Sequence, residues 1–501
     1  MMRSLYSGVA GLKVHQTKMD VIGNNIANVN TVGFKSSNVN FSDVLYQTTQ
    51  AASGANENTG ITGKNAKQIG IGSQVASITA TVDSTGGTQR TDNALDCMIN
   101  GDAFFIVNYG GSNYYTKAGS FNVDAAGTLC TANGASVMGW GVNATGTDIV
   151  RDAVQPLRVM TPEMMTSEPE ATTKAYITGN VDSSDTQLSS EDGVSIQVNF
   201  YDNLGNSYNL KLGLQADVGD DGTATAGSYK IVAKDIVDAD GKSIFLQTTT
   251  DETGTITTSV KEGMSFTFGG VTYEPTYDAD NDVFSLTAGE EASKLTFDTA
   301  TGAFKSVGAG GDAGEEGSSN TSLILSFGGG EGEADTADAF AAFKDVDIDF
   351  STITQYAGNG KCSLEGQRGA VDGSGVGAGR VMGEMTGLSI DSSGKIYGSY
   401  DNGTTKLLGQ IAVTTFANAS GLEAVGDSMF TTTQNSGEFD GIGKDITETG
   451  GTLTTGVLEM SNVDLSTEFT QMITTQRGFQ ANSKIITTSD TLLEELINLK
   501  R

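Results

Sequence analysis

The stretch LSTEFTQMITTQRGFQANSKIITTSDTLLEELI at residues 465–497 decides the fold, because its apolar residues recur in alternating steps of four and three. The steps pass through Leu465, Phe469, Met472, Gln476, Phe479, Ser483, Ile486, Asp490, Leu493 and Ile497. A heptad stripe of this kind is typical of a helix that packs along another helix. The preceding residues 461–464 (SNVD) resemble a capping signal, so the pattern predicts a helix over 463–499.

The N-terminus carries the same spacing, through Leu5, Val9, Leu12, Gln16, Met19, Gly23 and Ile26. A long amphipathic helix must bury its apolar stripe, and neither end has another helical pattern near it in sequence. We therefore predict that the two termini pair in a coiled coil and that β domains are looped out between them. The alternative is that each helix docks separately on a β domain.

The middle of the chain has a β pattern. The whole sequence has 66 Gly and only 4 Pro. In its middle part, short alternating runs such as 75–82 and 198–201 lie between Gly-containing turns. Three of the prolines, Pro156, Pro162 and Pro169, lie close together and indicate a domain boundary. The fold class predicted is multidomain and mainly β, with nested β domains looped out of an α-helical coiled coil. The predicted parts are a coiled coil (1–29 and 461–501), an extended connector (30–75), an inner β domain (76–158 and 366–460) and one or more outer β domains (159–365), in which 215–345 could be an additional acidic domain.

Charge limits the classes of partner. The chain has 29 basic and 61 acidic residues, a formal net charge of −32, which argues against binding to nucleic acid or to anionic membranes. Residues 215–345 hold 24 acidic and 7 basic residues, a composition typical of a solvated outer surface. No stretch reaches the 18 uncharged apolar residues of a membrane span, and the N-terminus does not resemble a cleaved signal peptide.

Catalytic and metal-binding chemistry has few candidates. His15 is the single histidine, so a Ser-His-Asp triad or a multi-histidine metal site has no support. Cys97, Cys130 and Cys362 show no CxxC spacing and are predicted to be small hydrophobic residues. We expect no enzyme activity, no metal and no cofactor.

Two motifs are misleading. Residues 373–379 (GSGVGAG) lack both glycine-rich phosphate-binding patterns, so a glycine loop is predicted. Residues 278–282 (DADND) begin like a calcium loop, but Val283 and Gly289 stand where Gly and Glu are needed, which favours a β-turn. Trp140 is single and predicted to be in the core.

Several runs resemble the bacterial flagellar rod and hook family. Residues 24–35 (NNIANVNTVGFK) are similar to the family's N-terminal signature, and 461–465 (SNVDL) with 475–483 (TQRGFQANS) to its C-terminal one. Internal runs at 95–105 and 116–121 are similar to the inner β domain shared by hook and rod members, and the runs at 201–207 and at 388–391, 408–412 and 416–418 are similar to hook-type members. The matching signature positions are Asn24, Asn25, Asn28, Gly33, Phe34, Asn100, Gly101, Phe105, Gly119, Phe121, Ser461, Asn462, Gln476 and Arg477.

This resemblance implies a structural subunit of the flagellar hook, a curved tube that transmits torque from rod to filament. It implies terminal helices that line a central channel, and export through the flagellar type III apparatus without a cleaved signal. The implied partners are further copies of the chain, the distal rod protein, the hook cap, the hook–filament junction protein and the export apparatus. The predicted assembly interface comprises Leu5, Val9, Leu12, Met19, Ile26, Leu465, Phe469, Met472, Phe479, Ile486, Leu493 and Ile497.

Two alternatives remain at this stage. A distal rod protein of the same family is the nearer one, although rod proteins are typically much shorter. A secreted β-rich adhesin is the other, and it leaves the paired terminal heptads unexplained.

Overall fold

The computed structural model describes residues 2–54, 60, 62–143, 146–219, 222–250, 256–261, 264–279, 283–288, 292–308, 320–327 and 340–499. Helices α1 (Met2–Ala27) and α2 (Leu465–Asn498) stand at the two ends, and nearly all other regular structure is β. Asp464 caps α2, because its carboxylate accepts a hydrogen bond from the Ser466 amide at 2.9 Å. The predicted fold class, β domains between paired terminal helices, is confirmed.

The strands follow one another closely. The first group is β1 (Ser37–Asp43), β2 (Tyr46–Gln50), β3 (Lys67–Gly70), β4 (Ser73–Ala80), β5 (Thr88–Arg90), β6 (Cys97–Asn100), β7 (Phe104–Tyr109), β8 (Ser112–Thr116), β9 (Phe121–Val123), β10 (Leu129–Thr131), β11 (Ser136–Gly141) and β12 (Gln155–Pro156). The second is β13 (Thr166–Ser167), β14 (Lys174–Asn180), β15 (Val194–Tyr201), β16 (Ser207–Val218), β17 (Ala224–Asp238), β18 (Leu246–Thr250), β19 (Ile256–Val260), β20 (Phe266–Phe268), β21 (Val271–Asp278), β22 (Val283–Ala288), β23 (Ser293–Phe297), β24 (Phe304–Gly308), β25 (Ser322–Phe327), β26 (Val346–Asp349), β27 (Ile353–Thr354) and β28 (Ser363–Arg368). The third is β29 (Gly383–Ile390), β30 (Lys395–Tyr400), β31 (Thr405–Ile411), β32 (Val413–Thr414), β33 (Glu423–Gly426), β34 (Met429–Thr431), β35 (Thr452–Thr455) and β36 (Val457–Glu459). Short 3-10 helices occupy Thr186–Ser189 and Ala419–Gly421.

The chain divides into two compact units. The first unit is Met1–Met165, Met385–Ser399 and Thr405–Arg501, and the second is Thr166–Glu384 and Tyr400–Thr404. In the first unit, strands β30, β31, β11, β7, β8, β34 and β33 follow one another in a single sheet. Its core holds aromatic and aliphatic side chains from both halves of the sequence, among them Phe104, Phe105, Phe121, Trp140, Ile396 and Ile411.

The second unit has one hydrophobic core. Its two sheets run in the orders β22-β21-β20-β25-β26-β14-β27, with β28 paired to β14, and β15-β16-β17-β23-β24. The described residues of 215–345 supply strands to both sheets, and their side chains Ile231, Phe245, Phe266, Leu295 and Leu325 join the same core as Ile177 and Phe200. Residues 215–345 are therefore not an additional domain where the structure describes them. The described acidic residues of this segment therefore belong to the second unit, whose sheets and core the segment helps to form.

Two predicted boundaries differ most from the structure. In addition, residues 159–165 belong to the first unit and Tyr400–Thr404 to the second, the reverse of their predicted assignment. Residues 30–75 were expected to be an extended connector, yet they contain β1, β2, β3 and the start of β4. Residues 366–384 were assigned to the inner β domain, yet they belong to the second unit, where β28 pairs antiparallel with β14 from Ala175 opposite Arg368 to Asn180 opposite Ser363. Pairing between strands far apart in sequence decided both cases, and a local pattern does not report it.

The smaller predictions can be placed as well. Residues 373–379 form a glycine loop with positive φ at Gly373, Gly375, Gly377 and Gly379. Trp140 is buried at 1% exposure, and its indole N–H donates to the carbonyl of Asp152 at 3.0 Å. Cys97 lies in the core, and Cys130 and Cys362 are half-buried. Residues 280–282 of the DADND run lie outside the described residues.

Candidate assembly surfaces

Helices α1 and α2 pack side by side and antiparallel. The hydroxyl oxygens of Ser4 and Ser489 lie 3.5 Å apart at one end of the pair. At the other end, Asn25 Nδ2 donates a hydrogen bond to Glu468 Oε1 at 3.0 Å. The contact therefore extends along most of α1.

Glycines bring the two helices close together. A Cβ added to Gly11 would lie 2.5 Å from Asn482 Nδ2, and one added to Gly478 would lie 2.7 Å from His15 Nε2. A Cβ at Gly8 would lie 3.2 Å from a side-chain carbon of Ile486. Larger residues at these positions would push the helices apart, so small residues set the spacing of the pair.

The register of this seam corrects the sequence prediction. The predicted spacing is right, but the residues that meet lie one position earlier on both helices, apart from Ile486. Those that touch are Ser4, Gly8, Gly11, His15 and Asn25 on α1 and Glu468, Gly478, Asn482, Ile486 and Ser489 on α2. Small residues stand at the closest approach of the two helices, where the predicted position Ile486 lies beside Gly8, and packing of the other apolar heptad positions in the seam stays a prediction.

The predicted apolar positions consequently lie partly in solvent. Five of them are exposed, namely Val9, Leu465, Phe469, Phe479 and Ile497. The other seven, Leu5, Leu12, Met19, Ile26, Met472, Ile486 and Leu493, are half-buried. Their role in assembly stays a prediction.

Three of these exposed side chains and a further one, Ile473, form a surface that we call the α2 flank: Leu465, Phe469, Ile473 and Phe479. Their exposed fractions run from 37% at Phe479 to 59% at Ile473. At about 100° per residue, the four spread over about 120° of the helix surface in the N-terminal half of α2, from beside the seam at Phe479 to its opposite side at Ile473. Neighbouring exposed apolar residues of this kind mark an interaction surface.

His15 keeps the middle of the seam uncharged. Its Nδ1 is buried and has no hydrogen-bond partner among the described residues. Burial, and secondly the positive charge of Lys18, lower the pKa of His15 below its usual value of 6.5. The imidazole is therefore neutral at neutral pH, and it packs against Gly478 as an uncharged ring.

Two signature asparagines join the helices to the strand β1. Asn25 Oδ1 accepts from the Ser37 amide at 3.0 Å, and Asn25 Nδ2 donates to the Ser37 carbonyl at 2.9 Å as well as to Glu468. Asn462, just before α2, accepts from the Ser36 amide at 2.7 Å. Residues near both chain ends are thus hydrogen-bonded to the adjacent residues Ser36 and Ser37 at the start of β1.

A buried ion pair lies beside this junction. Lys35 Nζ is 2.7 Å from Glu459 Oε1, and the two side chains are 1% and 0% exposed. Lys35 also donates to the Ser84 carbonyl at 2.7 Å, and Glu459 Oε1 accepts from the Gly86 amide at 3.0 Å. No local pattern marks either residue as functional, although Lys35 ends the signature run 24–35.

Lys117 is a second buried ammonium group near this pair. Its Nζ donates to the Gly101 carbonyl at 2.6 Å and lies 5.0 Å from the centre of the Phe104 ring. Burial lowers the pKa of Lys117 to about 8, and the charge of Glu459 partly opposes that shift. The carbonyl of the signature residue Gly101 therefore accepts a hydrogen bond from the buried ammonium group of Lys117.

Two signature glycines stand where another backbone segment leaves no room. Gly33 has φ of +67°, and a Cβ there would lie 2.7 Å from the Ala118 amide nitrogen. A Cβ at Gly119 would lie 1.7 Å from the carbonyl oxygen of Cys97. Both positions need glycine for steric reasons.

The remaining signature residues differ in their surroundings. Phe105 and Phe121 meet edge to face in the core, with ring centres 5.0 Å apart. Asn100 Nδ2 donates to Thr454 Oγ1 at 2.7 Å, and the buried Ser461 accepts from the Val463 amide at 3.3 Å. Gln476 and Arg477 are exposed on α2.

Family models match three parts of the chain. The model "Flagella basal body rod protein" matches residues 5–35, "Flagellar hook protein FlgE/F/G D1 domain" matches 98–170, and "Flagellar basal body rod FlgEFG protein C-terminal" matches 454–499. These ranges contain α2, all but the first three residues of α1, the signature asparagines and Lys35, Lys117 and Glu459.

Similar proteins cover the whole chain. The flagellar hook protein FlgE of Treponema pallidum is 33% identical over 522 residues, and that of Borreliella burgdorferi is 34% identical over 517 residues, in each case with 100% of both chains covered. This chain belongs to the flagellar hook protein family. The flagellar basal-body rod protein FlgG of Bacillus subtilis is also similar over the full length of both chains, at a lower identity of 28%.

Metal sites and membrane-spanning helices were also sought among the described residues of this hook-family chain. They contain no group of three or more His, Cys, Asp and Glu side chains arranged to hold a metal ion. Neither described helix is long and apolar enough to span a membrane. The surfaces that distinguish the chain are the helix pair and its α2 flank.

Proposed function

We propose that this chain is the structural subunit of a flagellar hook, and that it polymerises through its terminal helices into a curved tube that transmits torque from rod to filament. The single observation that carries the proposal is the α2 flank. Its apolar side chains are exposed in one copy because glycines already occupy the seam with α1. A second copy is the partner that would bury them.

The mechanical role follows from two kinds of surface. Packed helices with interlocking apolar side chains make a stiff contact that can bear torque. Hydrated, turn-rich β surfaces can change neighbours at little cost in free energy, as a bending tube requires. The high negative charge of 215–345 would keep such contacts hydrated.

The proposal extends to location and partners. The chain would act without catalysis, outside the cell, after export through the flagellar apparatus without a cleaved signal. Besides further copies of itself, it would contact the distal rod protein, the hook cap and the hook–filament junction protein.

Substitution Phe479→Asp tests the proposal. Because Phe479 is 37% exposed, a charge there is hydrated in the single copy and the fold should survive. In the polymer the same charge would be buried without a partner, at a cost of several kcal/mol. We expect normal circular dichroism of the monomer, no tubes in electron micrographs and no motility when the variant replaces the wild type.

Thr474→Asp is the matched control. Thr474 is also exposed on α2 but lies on a different side of the helix from Phe479. This variant should polymerise as the wild type does. Normal tubes from Phe479→Asp, or equal loss in both variants, would contradict a role for the α2 flank.

A further inference from the structure

The ring of His15 is enclosed in the middle of the seam between α1 and α2. A Cβ added to Gly478 would lie 2.7 Å from Nε2 of His15, 2.8 Å from Cε1 and 3.3 Å from Cδ2, so one edge of the imidazole faces the backbone of α2. On another side, the rings of His15 and Phe41 meet edge to face, with centres 6.5 Å apart. The backbone of α2 and an aromatic ring of β1 therefore leave little space for water around this imidazole.

The buried nitrogen of His15 has no place for a second proton. A neutral imidazole carries its proton on one ring nitrogen and leaves the other as an acceptor, whereas both nitrogens of the charged form are donors. Nδ1 is buried and has no hydrogen-bond partner among the described residues. Protonation would place a charged N–H group there without an acceptor, which costs free energy for as long as the helices stay together.

The charged groups of α1 do not compensate a positive charge on His15. The imidazole forms no ion pair with any described residue. Lys18 stands about one helical turn further along and lies over the Phe41 ring, with its Nζ 5.8 Å from the ring centre. Its like charge would repel an imidazolium at this spacing. Lys13 and Asp20, the other charged residues close by on α1, are exposed.

The elements that face the ring offer no compensating carboxylate either. On α2, Glu468 is about 15 Å along the helix from Gly478, and Lys484 is about 9 Å from it. Arg477, next to Gly478, is itself positive and is exposed. Asp43, the charged residue of β1, is exposed as well. A proton on His15 would thus remain an uncompensated charge in the seam.

We infer that His15 is a pH switch of the α1–α2 pair: protonation of its imidazole in mildly acidic solution loosens the seam and so disfavours the assembled tube. The neutral ring packs against Gly478, and the helices stay paired. The charged ring regains its hydration only when α1 moves away from α2. The inference rests on the proposed function and adds a condition under which the polymer forms.

The direction of the pH dependence follows from the two states of the pair. Burial, and secondly the charge of Lys18, lower the pKa of His15 below 6.5 while the helices are paired. In separated helices the ring is hydrated and has its ordinary pKa of about 6.5, so the separated state binds more protons below this pH. The contribution of the neutral ring to the pair is therefore complete above about pH 6.5 and is lost as pH falls further.

Tubes of the full chain, followed across a range of pH, test the switch. Wild type and His15→Gln are polymerised at about pH 7.5 and transferred to buffers down to about pH 5, the range in which histidine titrates. Light scattering and electron microscopy report dissociation. Glutamine is neutral throughout, and the seam already holds a side-chain amide where Asn482 lies against Gly11. We expect the wild-type tubes to dissociate at a higher pH than those of His15→Gln.

The double variant His15→Gln/Gln16→His is the matched control. It keeps one histidine but moves it to an exposed position of the same helix, so its tubes should resist acid as those of His15→Gln do. His15→Asn repeats the comparison with a shorter neutral amide. Absence of tubes at neutral pH in both amide variants would show that the ring acts by packing and not by charge, and would overturn the inference.

Two further results would also overturn it and leave the proposed function intact. One is the same dissociation midpoint in wild type and His15→Gln. The other is acid sensitivity that returns with Gln16→His, because a charge outside the seam would then have the same effect. A wild-type chain that forms no tubes at any pH would overturn the proposed function and the inference with it.

Discussion

Lys35, Lys117 and Glu459 show how single residues support this fold. None of the three is more than 4% exposed, and they come from segments far apart in sequence. An ion pair at this depth is sensitive to the loss of one partner, since the other charge then remains buried alone. Glu459 Oε2 has no hydrogen-bond partner among the described residues, so Lys35 supplies the positive charge for this carboxylate and the Gly86 amide a further hydrogen bond, both at Oε1.

Lys35→Met should destabilise the first unit by about 3–5 kcal/mol, the usual effect of breaking a buried ion pair. Urea unfolding followed by tryptophan fluorescence measures it, because Trp140 lies in that unit. The double variant Lys35→Met/Glu459→Gln removes the unpaired charge and should recover part of the loss. A double variant as unstable as the sum of both single variants would contradict the pairing.

Lys117 predicts a pH dependence. Its pKa is about 8 in the folded chain and about 10.5 in the unfolded chain, so between these values the unfolded chain binds more protons. The free energy of unfolding should therefore gain a contribution as pH rises from 8 to 10.5, of about 3 kcal/mol in all at about 1.4 kcal/mol per pKa unit. Lys117→Met should lack this contribution in urea unfolding measured across that range. An unchanged pH profile would show that the ammonium group is not desolvated.

At the scale of elements, the helix pair is shaped by its glycines. Gly8, Gly11 and Gly478 lower helix propensity, yet they stand where the other helix leaves no space for a side chain. The gain in packing offsets the loss in propensity. Gly23 differs from them, because a Cβ there would meet nothing within 4 Å.

Gly478→Leu should therefore weaken the pair, by about 1–3 kcal/mol as for other overpacked contacts, since its side chain would collide with His15. Gly23→Ala should instead stabilise α1 by up to about 1 kcal/mol through helix propensity alone. Thermal unfolding followed by far-ultraviolet circular dichroism compares them. Equal melting of Gly478→Leu and wild type would mean that the helices do not approach each other at this position.

At the scale of the whole molecule, the second unit is an insertion whose ends meet. Apart from Tyr400–Thr404, the second unit is one stretch of chain, which begins after Met165 and ends before Met385. The Met385 amide donates to the Met165 carbonyl at 2.9 Å, so the exit and the return are adjacent in space. Insertions with adjacent ends can be removed with little strain on the remaining domain.

Deletion of residues 166–384, closed with a short Gly-Ser linker, should leave a folded first unit that still polymerises into tubes of smaller diameter. Deletion of 220–340 should instead give an insoluble product, because it removes β17 to β25 from a shared core. Limited proteolysis and electron microscopy separate the outcomes. A soluble, protease-resistant 220–340 deletion would contradict the single core.

The sequence by itself determined the elements that depend on local pattern. Heptad spacing indicated both helices, and the capping signal that ends at Asp464 indicated where α2 begins. The turn at 201–207 was also predictable, because Asp202 Oδ1 accepts from the Asn206 amide at 2.8 Å and so closes the link between β15 and β16. Local hydrogen bonds and residue preferences suffice for such features.

Only the tertiary structure decided which surfaces meet. Periodicity reports the apolar stripe of a helix, but the line of contact between α1 and α2 goes to the residues that allow the closest backbone approach, as at Gly11 and Gly478. The pairing of Lys35 with Glu459, and of β14 with β28, joins residues far apart in sequence. Such contacts form only when distant segments of each unit fold together around its core, and that is why no local pattern contains them.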